Sequence, residues 1–238
     1  MKRRSFVKAC GAGVSCAALA ASLPHALSEA AASMRRYPRV LLTNGSGQPL
    51  QASALTPGKQ WIFAYPFKAT PAFLINLQAP VEPVDGLVTE TGEPYRWPGG
   101  VGPAQTVVAY SAICAHKLAH PTPSLSYISY RPARAAEDPP AGLITCCAEN
   151  SRYDPARGAA VINGPARQPL ATIVLEHDPS TDALYATGTV GGERFNQFFD
   201  EFSLRLELEY PNGDATEMAD ARATATPLEA YCDNVMGC

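Results

Sequence analysis

The chain has 238 residues, with 19 Lys and Arg against 22 Asp and Glu, a formal net charge of −3 and seven cysteines. A slightly acidic chain without a basic stripe lacks the electrostatic footprint of a nucleic-acid binder. The length allows one sizeable core, or a small domain inserted into a larger one.

The charge is unevenly placed. Lys2-Arg3-Arg4-Ser5-Phe6-Val7-Lys8 is followed by a small, apolar run from Ala9 to Leu23. This is the layout of a bacterial export signal, and the adjacent arginines before Phe6 resemble a twin-arginine signal. The small-x-small site Ser28-Glu29-Ala30 predicts cleavage near Ala31, with a periplasmic product. An uncleaved membrane anchor is the rival, although the run falls short of the ~20 residues a spanning helix needs. A lipoprotein reading of Cys16 would need Leu or a similar residue where Gly13 stands. Without residues 1–30 the chain keeps 15 Lys and Arg and 21 Asp and Glu, a formal charge of −6. Such a surface suits solubility, and it suits steering of a basic partner such as a cytochrome c. Five cysteines then remain: Cys114, Cys146, Cys147, Cys232 and Cys238. In an oxidising compartment an odd count does not resolve into disulfides alone.

Pro and Gly account for 40 residues spread along the whole chain. The apolar runs between them are short, which predicts a loop-rich, all-β protein. Val40–Leu42, Gln60–Tyr65, Ala72–Leu77, Thr106–Ile113 and Gly142–Thr145 are the expected early strands. Further on, Thr172–Glu176 and Ala183–Thr187 flank the turn Asp178-Pro-Ser-Thr-Asp182, which is the pattern of a hairpin. Phe195, Phe198, Phe199 and Phe202 recur at helical spacing on one face. Leu204, Leu206, Leu208 and Tyr210 alternate with charged residues, as in a half-buried strand. The polar, Ala-rich stretch 214–226 reads as a surface helix or a poorly ordered segment. A Cys232–Cys238 bridge would staple the end of the chain.

Two short stretches carry chemistry. Cys114-Ala-His116 follows a predicted strand, and thirty residues later comes Cys146-Cys147-Ala-Glu149-Asn150-Ser151-Arg-Tyr153-Asp154. With the Gly164-Pro165-Ala166 loop and the closing hairpin in the same order, residues 107–188 resemble the Rieske iron–sulfur proteins. The resemblance implies an antiparallel β-sandwich with a small subdomain that presents a [2Fe–2S] cluster on two loops. It divides the chain into N-terminal base strands over 31–105, a cluster-binding domain over 106–190 and a C-terminal extension over 191–238. In the family two thiolates and two imidazoles hold the cluster, and the imidazoles raise its potential. Cys114 and His116 match the first loop. In the second loop the family's second histidine is missing.

Two registers are open there. Anchored on Ser151 and Tyr153, the ligand is Cys146 and Glu149 stands in the histidine position. Slipped by one residue, the ligand is Cys147 and the histidine is replaced by Asn150. A carboxylate ligand would add a negative charge in both redox states and lower the potential, whereas Asn150 would leave one iron open. His120 is a candidate substitute ligand. Ser151 and Tyr153 match hydroxyls that, in the family, donate to a bridging sulfide and a ligand cysteine and so favour the reduced cluster. The family's inter-loop disulfide would fall on Ala119 and Ala148 and is therefore absent. A mononuclear zinc site from Cys114, His116 and one of the paired cysteines is the metal alternative.

The resemblance implies a carrier of single electrons, or an oxidoreductase subunit, rather than a stand-alone enzyme. Its partner would be a cytochrome c, a quinol oxidoreductase or a molybdoenzyme. The alternative is a Rieske fold without a cluster that serves as an interaction subunit.

Overall fold

The computed structural model describes residues 34–132 and 142–238. The expected leader, with its export motif and cleavage site, lies outside these residues. Among the described residues no helix is long and apolar enough to cross a membrane.

The all-β expectation holds. The first six strands are β1 (Met34–Thr43), β2 (Gln60–Ala64), β3 (Pro71–Asn76), β4 (Val84–Val88), β5 (Pro94–Trp97) and β6 (Val107–Ser111). Four short ones follow: β7 (Ile128–Arg131), β8 (Leu143–Cys146), β9 (Ser151–Asp154) and β10 (Ala160–Asn163). The last four are β11 (Thr172–Asp178), β12 (Ala183–Val190), β13 (Arg222–Thr224) and β14 (Thr226–Pro227). Eight of them form one sheet in the order β13-β1-β12-β11-β6-β3-β2-β14, and β10-β9-β8-β7 form a second, small sheet. A separate hairpin pairs β4 with β5.

The large sheet rolls up on itself. Its two edge strands, β13 and β14, are consecutive in the chain and separated only by Ala225. One extended segment thus pairs with β1 through its first half and with β2 through its second. Val40, Leu42, Phe63, Leu74, Val107, Ala109, Ile173, Leu175 and Leu184 fill the enclosed core. The opposite faces of β2, β3 and β6 contribute Ile62, Phe73, Ile75, Val108 and Tyr110 to a second core beneath the small sheet. Both faces of β3 and β6 are therefore buried. That is why these strands read as unbroken apolar runs rather than alternating ones.

Two buried polar contacts fix the small sheet on the large one. The Gln60 side chain on β2 donates to Tyr130 O (2.9 Å) and accepts from the Tyr130 N–H (2.7 Å) on β7. The Tyr110 hydroxyl on β6 donates to Pro155 O at 2.7 Å, just beyond β9.

The C-terminal extension departs from expectation in two places. The phenylalanine stripe forms helix α1 (Phe195–Glu201), as its spacing predicts, but Ser203–Glu209 is a second helix, α2, and not a strand. Leu206 is buried, while Leu204 and Leu208 are 78% and 83% exposed. Alternation alone mimicked a strand there. The run consists of strong helix formers, and Arg205 reaches Glu209 one turn later at 3.2 Å. The stretch from Asp214 carries a 3-10 turn (Asp214–Thr216) and then β13 and β14, so it is neither a surface helix nor irregular. A short helix, α3 (Leu228–Tyr231), leads into the final residues.

Candidate metal centre

The first loop leaves β6 and places Cys114 three residues past the end of the strand. The Cys114 N–H donates to Ala119 O (2.9 Å) and the Leu118 N–H to Cys114 O (3.0 Å), which closes the loop on itself. Leu118 adopts a left-handed conformation there (φ 56°). The second loop is the turn between β8 and β9, where Cys146 pairs with Ser151 across the ladder. Its four connecting residues, 147–150, end at Asn150 in the left-handed region (φ 58°), a residue type that tolerates it.

These loops bring two pairs of groups together. Cys114 and Cys146 are free and buried, and each bears on the other's ionisation. The hydrogen bond from Cys146, and a second from Tyr153, hold the Cys114 thiol below the usual range and favour its thiolate. Cys146 is pushed the opposite way, because it donates to Cys114 and is buried. Tyr153 lies 3.3 Å from Cys114 Sγ. Burial pushes its own ionisation far up, so the phenol stays protonated and donates to the sulfur.

His116 and Glu149 form the second pair, with Nδ1 3.7 Å from Oε2, and Lys117 Nζ lies 3.2 Å from the other carboxylate oxygen. His116 Nδ1 and Ser151 Oγ are both buried and lack a hydrogen-bond partner among the described residues. Buried polar atoms of this kind are costly unless something else satisfies them. Among the described residues no three His, Cys, Asp or Glu side chains converge on one point. Donors arranged as one S/S pair and one N/O pair suit the two ends of a binuclear cluster better than a single zinc ion. The orphaned His116 and Ser151 atoms and the buried Cys114 and Cys146 thiols are groups that a [2Fe–2S] cluster would satisfy.

Three expectations need correction. Cys147 is disulfide-bonded to Cys238. Its sulfur is thus occupied, which removes the slipped register with Cys147 and Asn150. Cys238 is consequently unavailable to Cys232, which is a buried free thiol directed at Asn234 O (3.1 Å). His120 is not a substitute ligand. Its Nδ1 donates to Leu118 O (2.7 Å), its Nε2 accepts from Arg205 Nη2 (2.6 Å), and its ring packs edge-on against Phe198 and Phe202. Burial lowers its pKa to about 4, which keeps it neutral. Only its sequence proximity to His116 had suggested ligation. His177 lies on β11, paired with Asp182 at 2.7 Å.

Other members of this neighbourhood were not singled out from sequence. Lys117 could have been noticed as a cation beside a histidine. The reach of Arg131 and Met236 to Cys147 depends on tertiary folding and has no local signal.

The Gly164 loop packs on the second loop. A Cβ at Gly164 would lie 2.5 Å from Asn150 O and 2.6 Å from Ser151 Cα, and the residue has φ +89°. Gly164→Ala is therefore expected to lower stability by about 2–3 kcal/mol, read from the urea midpoint. An unchanged midpoint would mean that this loop does not press on the 150–151 backbone.

No protein-family model matches the sequence. Over 191 residues, 80% of this chain and 82% of the relative, it is 31% identical to the iodate reductase subunit IdrB of Denitromonas iodatirespirans. Among solved structures it is similar to the soluble domain of the Rieske protein II of Sulfolobus acidocaldarius. That match has 26% identity, a TM-score of 0.47 and coverage of 66% of this chain and 82% of the other.

Proposed function

For a chain that belongs to the family of the iodate reductase subunit IdrB, we propose the role of an exported electron-transfer subunit with a [2Fe–2S] cluster of altered ligand set. The observation that carries this reading is the pairing across the two loops: Cys114 with Cys146, and His116 with Glu149. Bound there, the cluster would supply a one-electron redox couple. Cys114 and Cys146 would hold one iron, and His116 with Glu149 the other. Tyr153 would donate to the Cys114 sulfur and Ser151 would offer its unpaired hydroxyl, both favouring the reduced charge state. Lys117 would offset part of the carboxylate charge. The Cys147–Cys238 bridge supports a periplasmic location, since such bonds persist in oxidising compartments. The partner would be a larger redox subunit, of the molybdoenzyme class, or a basic cytochrome c that accepts the electron.

The test is iron and sulfide analysis of protein purified from the periplasm, with an EPR spectrum of the dithionite-reduced sample. About two irons per chain and a rhombic signal from the reduced cluster are expected for mixed N/S ligation. Folded, iron-free, EPR-silent protein would replace this reading with that of a cluster-free interaction subunit.

A further inference from the structure

The segment after α3 does more than end the chain. The Asp233 N–H donates to Pro123 O (2.8 Å), the Ser126 N–H to Asn234 O (2.8 Å), and the Met236 N–H to Ser126 O (2.8 Å). Ser126, opposite Val235, is fully buried and lies on the strip that leads out of the first loop. From there the segment crosses to the second loop. Arg131 Nη2 donates to Met236 O at 2.6 Å and lies 3.7 Å from Cys147 Sγ. Cys238 then bonds to Cys147, the residue next to Cys146. One end of residues 233–238 is thus fastened to the strip 123–126 that follows the first loop in the chain, and the other is covalently fixed to the second loop.

We propose that the 233–238 segment, closed by the Cys147–Cys238 bond, is the clamp that sets the second loop against the first. Cys147 and Cys238 are positioning residues. They act on Cys146 and Glu149 by removing freedom from a four-residue turn in which Ala148, Glu149 and Asn150 are exposed. A site that must present donors from two separate loops needs such restraint, because small displacements of ligand-bearing turns change the geometry of the whole set. Arg131 assists by holding the carbonyl just before the bond. The proposal concerns the ligand set described above, and one of its tests does not depend on a bound cluster.

A disulfide also stabilises a fold globally, so the test must separate local from global loosening. The full-length Cys147→Ser/Cys238→Ser double variant, which leaves no orphan thiol, is compared with wild type by hydrogen exchange on iron-free protein. Amides of residues 143–153 are expected to exchange about tenfold faster, with those of β3 and β6 unchanged. Wild type held in a phosphine reductant gives the same comparison without mutation, should the variant not fold. Uniform acceleration, or no change at the second loop, overturns the clamp. On iron-loaded protein the variant is expected to lose iron to a chelator about tenfold faster and to show a shifted g-value spread. An identical spectrum and release rate would likewise overturn it. Failure of wild type to bind iron would count against the cluster reading and leave the exchange result to decide the clamp.

Discussion

Cys146→Ser is expected to lower bound iron from about two atoms per chain to near zero, whereas Cys147→Ser keeps the iron and exposes one new thiol, that of Cys238. Adjacent and chemically identical in sequence, the two cysteines are separated by the β8 ladder. Cys146 ends the strand, is buried and faces Cys114; Cys147 starts the turn and is turned outward to Cys238. Serine at 146 keeps a hydrogen-bond donor beside Cys114 but removes one of the two sulfurs of the S/S pair. Iron analysis and a thiol count on both variants decide the matter. Equal iron in the two would show that the thiol pair is not the metal-binding unit.

Glu149→His is expected to raise the midpoint potential by on the order of 100 mV. With a cluster bound as proposed, the carboxylate would place a full negative charge near the iron in both oxidation states and disfavour the extra electron. A neutral imidazole removes that charge and leaves Lys117, now 3.2 Å from a carboxylate oxygen, with nothing to neutralise there. Both effects act in the same direction. A dye-mediated EPR titration of wild type and variant measures the difference. A potential unchanged within about 20 mV, well under one tenfold step in equilibrium constant, would mean that residue 149 is not a ligand.

Much of the base was legible because its strands are buried on both faces. Pro71–Asn76 and Val107–Ser111 read as apolar runs, and Thr172–Asp178 with Ala183–Val190 as a hairpin about a turn rich in Asp, Ser and Thr. The strands β4, β5 and β7 were among those that carry no strand pattern in sequence. Val84–Val88 is mostly exposed, and Ile128–Arg131 alternates polar residues whose partners come from elsewhere in the chain, such as Gln60. Ser203–Glu209 was misread because a leucine at every second position satisfies the strand template while only one of the three is buried. At the site, residue order identified Cys114, His116, Ser151 and Tyr153 as candidates. It did not distinguish Cys146 from Cys147, because the partner that occupies Cys147 lies 91 residues away. The Cys232–Cys238 expectation failed for the same reason: proximity in sequence was the only guide, and Cys232 is directed into the core instead.

The rolled sheet bears on how this protein meets others. Residues 222–227 pair with β1 at Leu41–Thr43 and with β2 at Trp61–Ile62, so the backbone donors and acceptors of those stretches are already taken. Strand addition, the commonest way an exposed β edge recruits a foreign chain, has no purchase there. In the small sheet, β10 is an outer strand, and its Ile162 is half exposed. On the paired stretches recognition runs through side chains, whereas β10 offers main chain on the same small sheet that carries the second loop.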